Sequence, residues 1–317
     1  MSARVGLVGA RGHVGGELFH LLSEHPALRL TRAASRQGVG TPLHEHFGRH
    51  DDEAPEVVLE EASPAGVAAW DVDVVVLALP NGHAPAYAAA LPEAVIVDLS
   101  ADHRFDDAWA YGLPELHRGR VRGARRIANP GCYATGLQLG VAPARPLLAG
   151  APQVFGVSGY SGAGTTPSPR NDPERLRDNL MAYALIGHVH EREATRHLGC
   201  AVRFVPHVAE FFRGISLTIT LPLARPATRD ELLSIYAEAY ANEPLVRVVS
   251  EIPEVQAAAG RHGVTIGGFA VEGTHAVLVV TLDNLLKGAA TQALQNINLA
   301  LGLAELLGVP YDQAAVG

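Results

Sequence analysis

Near its start the chain reads Arg4-Val5-Gly6-Leu7-Val8-Gly9-Ala10-Arg11-Gly12-His13-Val14-Gly15-Gly16, a short apolar run followed by glycines at every third position. The apolar run predicts a strand, and the glycines predict a tight turn into an amphipathic helix that reaches about Glu24. Glycines spaced in this way let the backbone approach a pyrophosphate at the helix N-terminus, a variant of the dinucleotide-binding fingerprint. A second apolar run, Leu28 to Ala34, follows, so the stretch predicts a dinucleotide-binding strand–helix–strand unit of the α/β class; the alternative is a glycine-rich turn that only packs strand against helix.

The end of the second predicted strand indicates which dinucleotide binds. An NAD site usually has an acidic residue there for the ribose hydroxyls, whereas this chain has Ser35-Arg36. A guanidinium group suits a 2′-phosphate, so we expect NADP(H); the alternative is that Arg36 is a solvated loop residue. Another buried strand, Val72 to Leu79, ends at the carboxyl edge of the sheet, where ligands bind in such folds. The cofactor residues expected in this half of the chain are Gly9, Arg11, Gly12, His13, Val14, Gly15, Ser35, Arg36, Leu79 and Pro80.

One of the two cysteines follows a helix-breaking segment, Asn129-Pro130-Gly131-Cys132-Tyr133-Ala134-Thr135. Cys132 is expected at a strand-to-helix turn, where the unpaired N–H groups of a helix start favour a nucleophilic thiolate. The alternative is a small residue buried in a turn, which is common for free cysteines. Asn129 offers a side-chain donor for an oxyanion. Cys200 has no charged neighbour in its local sequence, so we expect an ordinary buried or half-buried residue.

Beyond Cys132 the pattern changes to a series of short strands. Ile215 to Leu221 alternates apolar and hydroxyl residues, and Thr265 to Val271 and Ala276 to Asp283 also indicate strands. This pattern predicts a second, α+β domain on a mostly antiparallel sheet, followed by a long helix over 286–307. A loop of small residues, Ser158 to Pro169, would let backbone amides approach a ligand. From this half of the chain we assign Ser161, Gly162 and Asn284 to the cofactor.

A histidine pair lies in Gly187-His188-Val189-His190-Glu191-Arg192-Glu193. These residues suit metal ligands, acid/base groups or plain surface residues, but no further ligands at familiar spacing accompany them, so we expect no metal. If a helix begins at Glu191, His190 lies at its start and is held towards its neutral form, which suits a base. Glu193, one turn on, would orient it. We therefore favour His190 as proton donor and acceptor, and His188 as a substrate or structural contact.

Composition excludes several classes of protein. The chain has 317 residues, 48% hydrophobic, which suits two domains with full cores. A net charge of −8 without a basic stripe argues against nucleic acid as a partner. No apolar run reaches the roughly 18 residues of a membrane span, and no basic leader opens the chain, so we expect a cytoplasmic protein.

These motifs together resemble the N-acetyl-gamma-glutamyl-phosphate reductase family, which is similar in fold and chemistry to aspartate-semialdehyde dehydrogenase. The resemblance rests on the glycine turn, the Cys132 segment, Ser158 to Gly164, the His188 pair and Asp283-Asn284-Leu285-Leu286-Lys287-Gly288-Ala289-Ala290. It implies a Rossmann domain over 1–131, completed by a C-terminal helix in 286–317, and a catalytic α+β domain over 132–285 that forms a homodimer or homotetramer. Where many relatives have Thr-Pro-Glu after the second histidine, this chain has Glu191-Arg192-Glu193, which leaves Glu193 as the matching carboxylate.

The resemblance also implies an NADPH-dependent step of arginine biosynthesis on a small acyl phosphate. The Cys132 thiolate would displace phosphate, and hydride would reduce the resulting thioester to an aldehyde. We expect the substrate and phosphate to contact Ser100, Arg104, Glu193, His207 and Arg213. Three alternatives stay open: reduction of aspartyl phosphate or a carrier-linked aminoadipyl phosphate, a non-catalytic NADP-binding sensor, and a zinc hydrolase built on the histidine pair.

Overall fold

The computed structural model describes residues 2–48 and 56–311. Within them the chain divides into two compact units. The first contains the described residues up to Gly131 together with Ala289–Val309, and the second contains Cys132–Gly288 with Pro310 and Tyr311. The chain therefore passes from the first unit to the second at the peptide bond before Cys132.

Strands and helices follow each other throughout both units. The strands are β1 Ala3–Val8, β2 Leu28–Ser35, β3 Leu59–Glu61, β4 Val74–Leu77, β5 Val95–Asp98, β6 Ala110–Tyr111, β7 Arg126–Ala128, β8 Gln153–Gly159, β9 Leu180–Ala182, β10 Arg203–Ala209, β11 Ile215–Pro222, β12 Val246–Val248, β13 Val264–Glu272 and β14 His275–Leu282. The helices are α1 His13–Ser23, α2 Leu43–His46, α3 Pro64–Ala68, α4 Ala84–Ala90, α5 Pro114–Val121, α6 Cys132–Val141, α7 Pro173–Leu176, α8 Val189–Leu198, α9 Arg229–Ala239, α10 Val255–Ala258 and α11 Thr291–Ala300. Short 3-10 turns cover Ala142–Leu147 and Tyr160–Ala163, and a π-helical turn covers Leu286–Ala290.

The sheet of the first unit has seven parallel strands in the order β3-β2-β1-β4-β5-β7-β6. The residues of β4, Val74–Leu77, are all fully buried, as expected for a parallel strand covered on both faces. The strand order reverses between β1 and β4, and ligands of doubly wound folds bind at that switch point. The predicted Rossmann architecture is confirmed, with the glycine turn directly after β1.

The sheet of the second unit has the order β12-β13-β14-β11-β8-β10-β9. Only the pairs β12–β13 and β8–β10 are parallel, so the predicted mostly antiparallel sheet is confirmed. Along β11 the apolar residues Ile215, Leu217, Ile219 and Leu221 are fully buried and their neighbours are not, which is the period of two expected of a half-buried strand. The buried face packs against α6.

The opposite face of this sheet is partly open. Phe155 on β8 is 44% exposed, and Val157, Val205 and Val279 on the same face are half-buried. Because a monomer rarely leaves a large apolar sheet face to water, this face has the character of an interaction surface.

The helix predicted over 286–307 begins at the expected residue, but its predicted end is wrong. A π-helical turn covers Leu286–Ala290, α11 begins at Thr291, and α11 ends at Ala300. The Asp283 carboxylate accepts hydrogen bonds from the backbone of Leu285 and Leu286, so the chain leaves β14 in a wide turn. Gly302 has φ +71, a left-handed conformation that commonly ends a helix. Residues 312–317 of the predicted C-terminal segment lie outside the described residues.

Among the described residues no helix is both long enough and apolar enough to span a bilayer.

Candidate active site

The glycine-rich turn joins β1 to α1 in the first unit. Gly9 has φ +85, and a methyl group on it would overlap the carbonyl of Ala78, while one on Gly15 would overlap the carbonyl of Ala10. Both positions therefore require glycine. Gly12 precedes α1 and supplies no side-chain cap, and an uncapped helix N-terminus attracts an anion such as a pyrophosphate. His13 and Val14, also predicted to bind the cofactor, form the first residues of that helix.

The end of β2 carries the predicted specificity residues. Ser35 is buried, and the Arg36 Nη2 atom lies 2.9 Å from His83 Nε2. Arg11, from the glycine turn, donates from Nη1 to Gln37 Oε1 at 3.2 Å. Two guanidinium groups thus belong to the segments that follow β1 and β2, an arrangement that suits a phosphate group.

The loop after β4 carries the last two cofactor residues predicted for the first unit. Leu79 is half-buried and Pro80 is exposed. Asp102, from the loop after β5, accepts hydrogen bonds from the backbone N–H groups of Gly82, at 2.7 Å, and Ala84, at 3.1 Å. These bonds fix the loop at the carboxyl edge of the sheet, next to the start of α4.

The loop after β5 is held by buried polar contacts. Asp98 is fully buried and accepts hydrogen bonds from the Ser100 backbone and hydroxyl, both at 2.9 Å, and contacts His103 Nδ1 at 2.7 Å. Arg104 is buried and donates from Nε to the carbonyl of Asn129 at 2.9 Å, three residues before Cys132. Ser100 and Arg104, predicted as substrate contacts, therefore both have structural partners inside the first unit.

The Asn129 side chain also has structural partners. This placement differs from the predicted role of Asn129 as an oxyanion donor. Its side-chain Oδ1 accepts from Asn296 Nδ2 at 2.9 Å, and its Nδ2 donates to the carbonyl of Ala289 at 3.4 Å. The side chain is 1% exposed. Because both ends of the amide are engaged within the first unit, the geometry favours a residue that positions the Asn129–Gly131 segment.

Cys132 begins α6 in the second unit and is half-buried. The start of a helix stabilises negative charge on the thiol side chain. Gly288, in the π-helical turn, packs directly on it: a methyl group on Gly288 would stand 2.7 Å from Cys132 Cβ and 3.2 Å from its Cα. The Asp283–Gly288 turn thus fixes the start of the helix at close range.

The residue after the cysteine contacts both histidines of the pair. The Tyr133 ring centroid lies 6.0 Å from that of His190 and 6.4 Å from that of His188, and the two histidine rings are 4.7 Å apart. The Tyr133 hydroxyl donates to the carbonyl of His207 at 2.6 Å. The structure therefore brings Tyr133, the residue after Cys132, into one cluster with His188 and His190.

His188 differs from His190 in its position on α8. The expectation that the helix begins at Glu191 with His190 at its start is wrong. The helix begins at Val189, so His188 is the N-cap, and its Nδ1 accepts from the backbone N–H of His190 at 3.1 Å. Burial, followed by the positive charges of Arg170 and Arg192, lowers the pKa of His188 to about 4. The ring is neutral at pH 7, and because Nδ1 is an acceptor, its proton resides on Nε2.

Tyr183 completes the cluster and is not one of the predicted residues. Its ring centroid lies 5.6 Å from that of His188, and the guanidinium carbon of Arg170 lies 4.9 Å from the Tyr183 centroid. Burial raises the pKa of Tyr183 to about 12; the charge of Cys132 acts in the same direction, and Arg170 opposes it. No local signal in the sequence marks either Arg170 or Tyr183, because their chemistry depends on the fold of the 164–187 segment.

The remaining cofactor residues lie in the second unit. The Asn284 side chain donates to Ser161 Oγ at 2.9 Å and accepts from the backbone of Gly214 at 2.7 Å, and Gly162 lies against it. Next to Asn284, the buried Asp283 forms an ion pair with Arg213, with 3.2 Å between Oδ2 and Nε. Arg213, a predicted substrate residue, is thus held beside the turn that packs on Cys132.

Two other predicted substrate residues are Glu193 and His207. Glu193 on α8 is fully buried. On β10 the His207 ring lies against Phe155, with centroids 4.2 Å apart, on the partly open face of the sheet, whereas Phe204 packs with Tyr133 on the other face. Side chains alternate between the faces of a strand, so only the backbone of His207 contacts the cluster. The prediction that the His207 side chain binds substrate does not fit this placement.

Cys200 lies just after α8 and is half-buried, as expected. Burial raises the pKa of its thiol, and the positive charge of Arg145 opposes this effect. Arg145 is distant in sequence, so the local pattern gave no sign of it. Among the described residues no group of three or more His, Cys, Asp or Glu side chains could hold a metal ion.

Comparison with known proteins defines the class. A semialdehyde dehydrogenase NAD binding domain matches residues 4–124, and a semialdehyde dehydrogenase dimerisation domain matches residues 132–284. The structure of aspartate semialdehyde dehydrogenase II from Vibrio cholerae, complexed with ASA, has a TM-score of 0.77 at 17% identity and covers 95% of this chain and 99% of that chain. That of the Candida albicans enzyme with NADP has a TM-score of 0.73 at 16% identity, covering 97% and 100%. The fold is thus that of the semialdehyde dehydrogenases.

Sequence relatives narrow this class to one family. Proteins named N-acetyl-gamma-glutamyl-phosphate reductase from Stenotrophomonas maltophilia and Xanthomonas campestris are 55% and 54% identical to this chain, covering 97% and 96% of it and 98% of each relative. A protein of the same name from Xylella fastidiosa is 53% identical, covering 97% of this chain and 95% of the relative. The chain belongs to the N-acetyl-gamma-glutamyl-phosphate reductase family, and the resemblance inferred from its motifs is confirmed.

Proposed function

We propose that this protein catalyses the NADPH-dependent reduction of N-acetyl-γ-glutamyl phosphate to N-acetylglutamate semialdehyde and phosphate, a step of arginine biosynthesis. The observation that carries the proposal is the placement of Cys132 at the start of α6, against Gly288 and next in the chain to Tyr133, whose ring contacts His188 and His190. The relatives at 53–55% identity over nearly the full chain support the choice of the N-acetylglutamyl group over an aspartyl or carrier-linked one.

The first unit fits NADP(H). Gly9 and Gly15 leave room for a close backbone approach, the start of α1 is free of a side-chain cap, and Arg36 stands where an NAD site would have an acidic residue. Arg11 donates to the side chain of Gln37, the residue after Arg36, so the proposal has both guanidinium groups bind the same phosphate. When bound, NADPH supplies the hydride that reduces the acyl group on the enzyme.

The first chemical step belongs to Cys132. Its sulfur attacks the γ-acyl carbon, a carbon–sulfur bond forms, and the bond between that carbon and the phosphate oxygen breaks, so that phosphate leaves with the electron pair. A thioester remains on Cys132. Arg213, whose Nε pairs with Asp283 beside the turn that packs on Cys132, is the arginine we propose for the leaving phosphate.

The second step moves a proton as well as the hydride. Once the thioester carbon is reduced, His190 donates a proton to the developing alkoxide and takes it back as the carbon–sulfur bond breaks, which releases the aldehyde and the Cys132 thiolate. His188 is neutral and carries its proton on Nε2, so it acts as a hydrogen-bond donor to the substrate. Arg104 and Asn129 position the segment that leads into the cysteine.

The second unit also offers a surface for self-association. The open face of its sheet exposes Phe155 beside the half-buried Val157, Val205 and Val279, and this region matches the semialdehyde dehydrogenase dimerisation domain. We also propose that the protein forms a homodimer or homotetramer through this face. We further propose that it acts in the cytoplasm. Light scattering of wild-type protein and of the variant Phe155→Glu would report the change in mass.

A coupled assay tests the function. The wild-type enzyme should reduce NADP in the presence of phosphate and N-acetylglutamate semialdehyde, and should consume NADPH with N-acetyl-γ-glutamyl phosphate. Aspartate semialdehyde should be a far poorer substrate, and Cys132→Ser should abolish both directions while Cys200→Ser leaves them intact. Preference for aspartate semialdehyde, or full activity of Cys132→Ser, would contradict the proposal.

A further inference from the structure

Arg170 is an exposed cation beside the cluster of Tyr133, Tyr183, His188 and His190. Its guanidinium carbon lies 4.9 Å from the centroid of the Tyr183 ring, and the Tyr183 ring lies 5.6 Å from His188. His188 in turn contacts Tyr133, the residue after Cys132. A chain of ring contacts through Tyr183 and His188 therefore joins the guanidinium group to Tyr133, the residue after the nucleophile, all within the second unit.

The loop before Arg170 is fixed by one neighbouring side chain. Asn171 Nδ2 donates to the carbonyls of Gly164 and Thr166, both at 2.8 Å, and its Oδ1 accepts from the backbone of Ser168 at 2.7 Å. Asp172 then caps the short helix α7, accepting from the backbone of Glu174. The backbone on both sides of Arg170 is thus hydrogen-bonded in place, which holds its side chain near Tyr183 with little loss of entropy on binding a ligand.

The charge of Arg170 has no acidic partner within residues 2–48 and 56–311: no carboxylate there forms an ion pair with it. Two other arginines of the second unit differ in this respect, because Arg177 pairs with Glu174 at 2.6 Å and Arg213 pairs with Asp283 at 3.2 Å. The positive charge of Arg170 nevertheless acts on two residues of the cluster. It helps to lower the pKa of His188, and it opposes the rise in the pKa of Tyr183. Such a group is suited to bind an anionic substrate.

We propose that Arg170 binds the α-carboxylate of the N-acetylglutamyl substrate and is therefore a specificity-determining residue. The inference rests on the proposed function. The phosphate leaves from the acyl carbon that bonds to the Cys132 sulfur, whereas three carbons of the substrate separate that acyl carbon from the α-carboxylate. The Tyr183 ring lies between Arg170 and His188, and the His188 ring contacts Tyr133, the residue after Cys132, so Arg170 would bind the more distant anion from the far side of the Tyr183 ring.

The test compares two aldehydes that differ only in the carboxylate. N-acetylglutamate semialdehyde carries it, and 4-acetamidobutanal lacks it. In the direction that consumes phosphate and NADP, the kcat/KM of Arg170→Gln should fall by about 10- to 100-fold for the first aldehyde, the range of a charge-assisted hydrogen bond, and stay within about twofold for the second. The KM values for phosphate and NADP should not change. Arg170→Lys should recover part of the loss, and Arg175→Gln, an exposed arginine on α7, should behave as wild type.

Other outcomes overturn the inference. Equal losses for the two aldehydes would show a structural role, and a rise in the KM for phosphate would assign Arg170 to that anion. The same selective loss in Arg192→Gln but not in Arg170→Gln would move the carboxylate site to Arg192. If the wild-type enzyme turns over N-acetylglutamate semialdehyde and Arg170→Gln is unaffected, only this inference fails. A wild-type enzyme inactive on that aldehyde would overturn the proposed function as well.

Discussion

Replacing Gly288 by alanine should disturb the nucleophile directly. The added methyl carbon would stand 2.7 Å from Cys132 Cβ, 3.2 Å from Cys132 Cα and 3.2 Å from the carbonyl oxygen of Asp283. Carbon atoms pack at about 3.5–4.0 Å, so the start of α6 or the Asp283–Gly288 turn must move by roughly 1 Å. None of the three atoms can rotate away. A displacement of about 1 Å near reacting groups costs on the order of 100-fold in rate, and overpacking costs about 1–3 kcal/mol of stability.

The assay for Gly288→Ala is the kcat for NADPH consumption, measured together with urea unfolding. We expect a kcat about 10- to 100-fold below wild type in a protein that is still folded at the assay temperature. Gly119→Ala is the control, because a methyl group there meets no atom within 4 Å; its kcat should equal that of wild type, and its stability should not fall, since alanine within α5 is favoured over glycine by about 0.5–1 kcal/mol. A Gly288→Ala enzyme with wild-type kcat would refute the idea that this close contact positions Cys132, whatever its stability.

Three further predictions concern the cofactor, the histidine pair and pH. Arg36→Ala should raise the KM for NADPH at least about tenfold and leave that for NADH nearly unchanged, since only the 2′-phosphate is lost as a partner; equal effects on both cofactors would contradict the assignment. His190→Asn should abolish turnover, while His188→Asn should retain part of it because asparagine can still cap the helix. If stopped-flow rates show the opposite ranking, His188 is the proton donor and acceptor and His190 is the substrate contact. Because the pKa of His188 is lowered to about 4 from an unfolded value near 6.5, its contribution to stability is complete above pH 6.5 and is lost as the pH falls towards 4. Urea unfolding should therefore show wild type losing about 3 kcal/mol more than His188→Asn between pH 7 and pH 4, and parallel losses would argue against a buried neutral ring.

Much of the fold could be predicted because its signals are local in sequence. The glycine turn after β1 and the buried run of β4 specify a parallel sheet with a ligand edge, and the alternation along β11 specifies a half-buried antiparallel strand. The helix over 286–307 could not be bounded in the same way. Its apolar period continues past Ala300, but the left-handed Gly302 ends the helix there.

The residues of the candidate site also fall into those with a local signal in the sequence and those without one. Cys132, His188 and His190 stand out in the sequence because the turn and the short motif that carry them are contiguous. The His207 side chain could not be placed, since a strand shows two faces and the sequence does not say which one meets α6. Asn129 has the chemistry of an oxyanion donor, but its partner Asn296 is far away in the chain. Arg170 acquires its meaning only from the loop that brings it to Tyr183.

The thioester on Cys132 is the central claim, and mass spectrometry of the intact enzyme and its peptides tests it most directly. The protein is mixed with N-acetyl-γ-glutamyl phosphate in the absence of NADPH, quenched in acid and digested. The account predicts one N-acetylglutamyl group on the Cys132 peptide, none on the Cys200 peptide, and loss of the adduct when NADPH is added before the quench. Turnover with no adduct on Cys132, or an adduct on Cys200 that NADPH discharges, would contradict it.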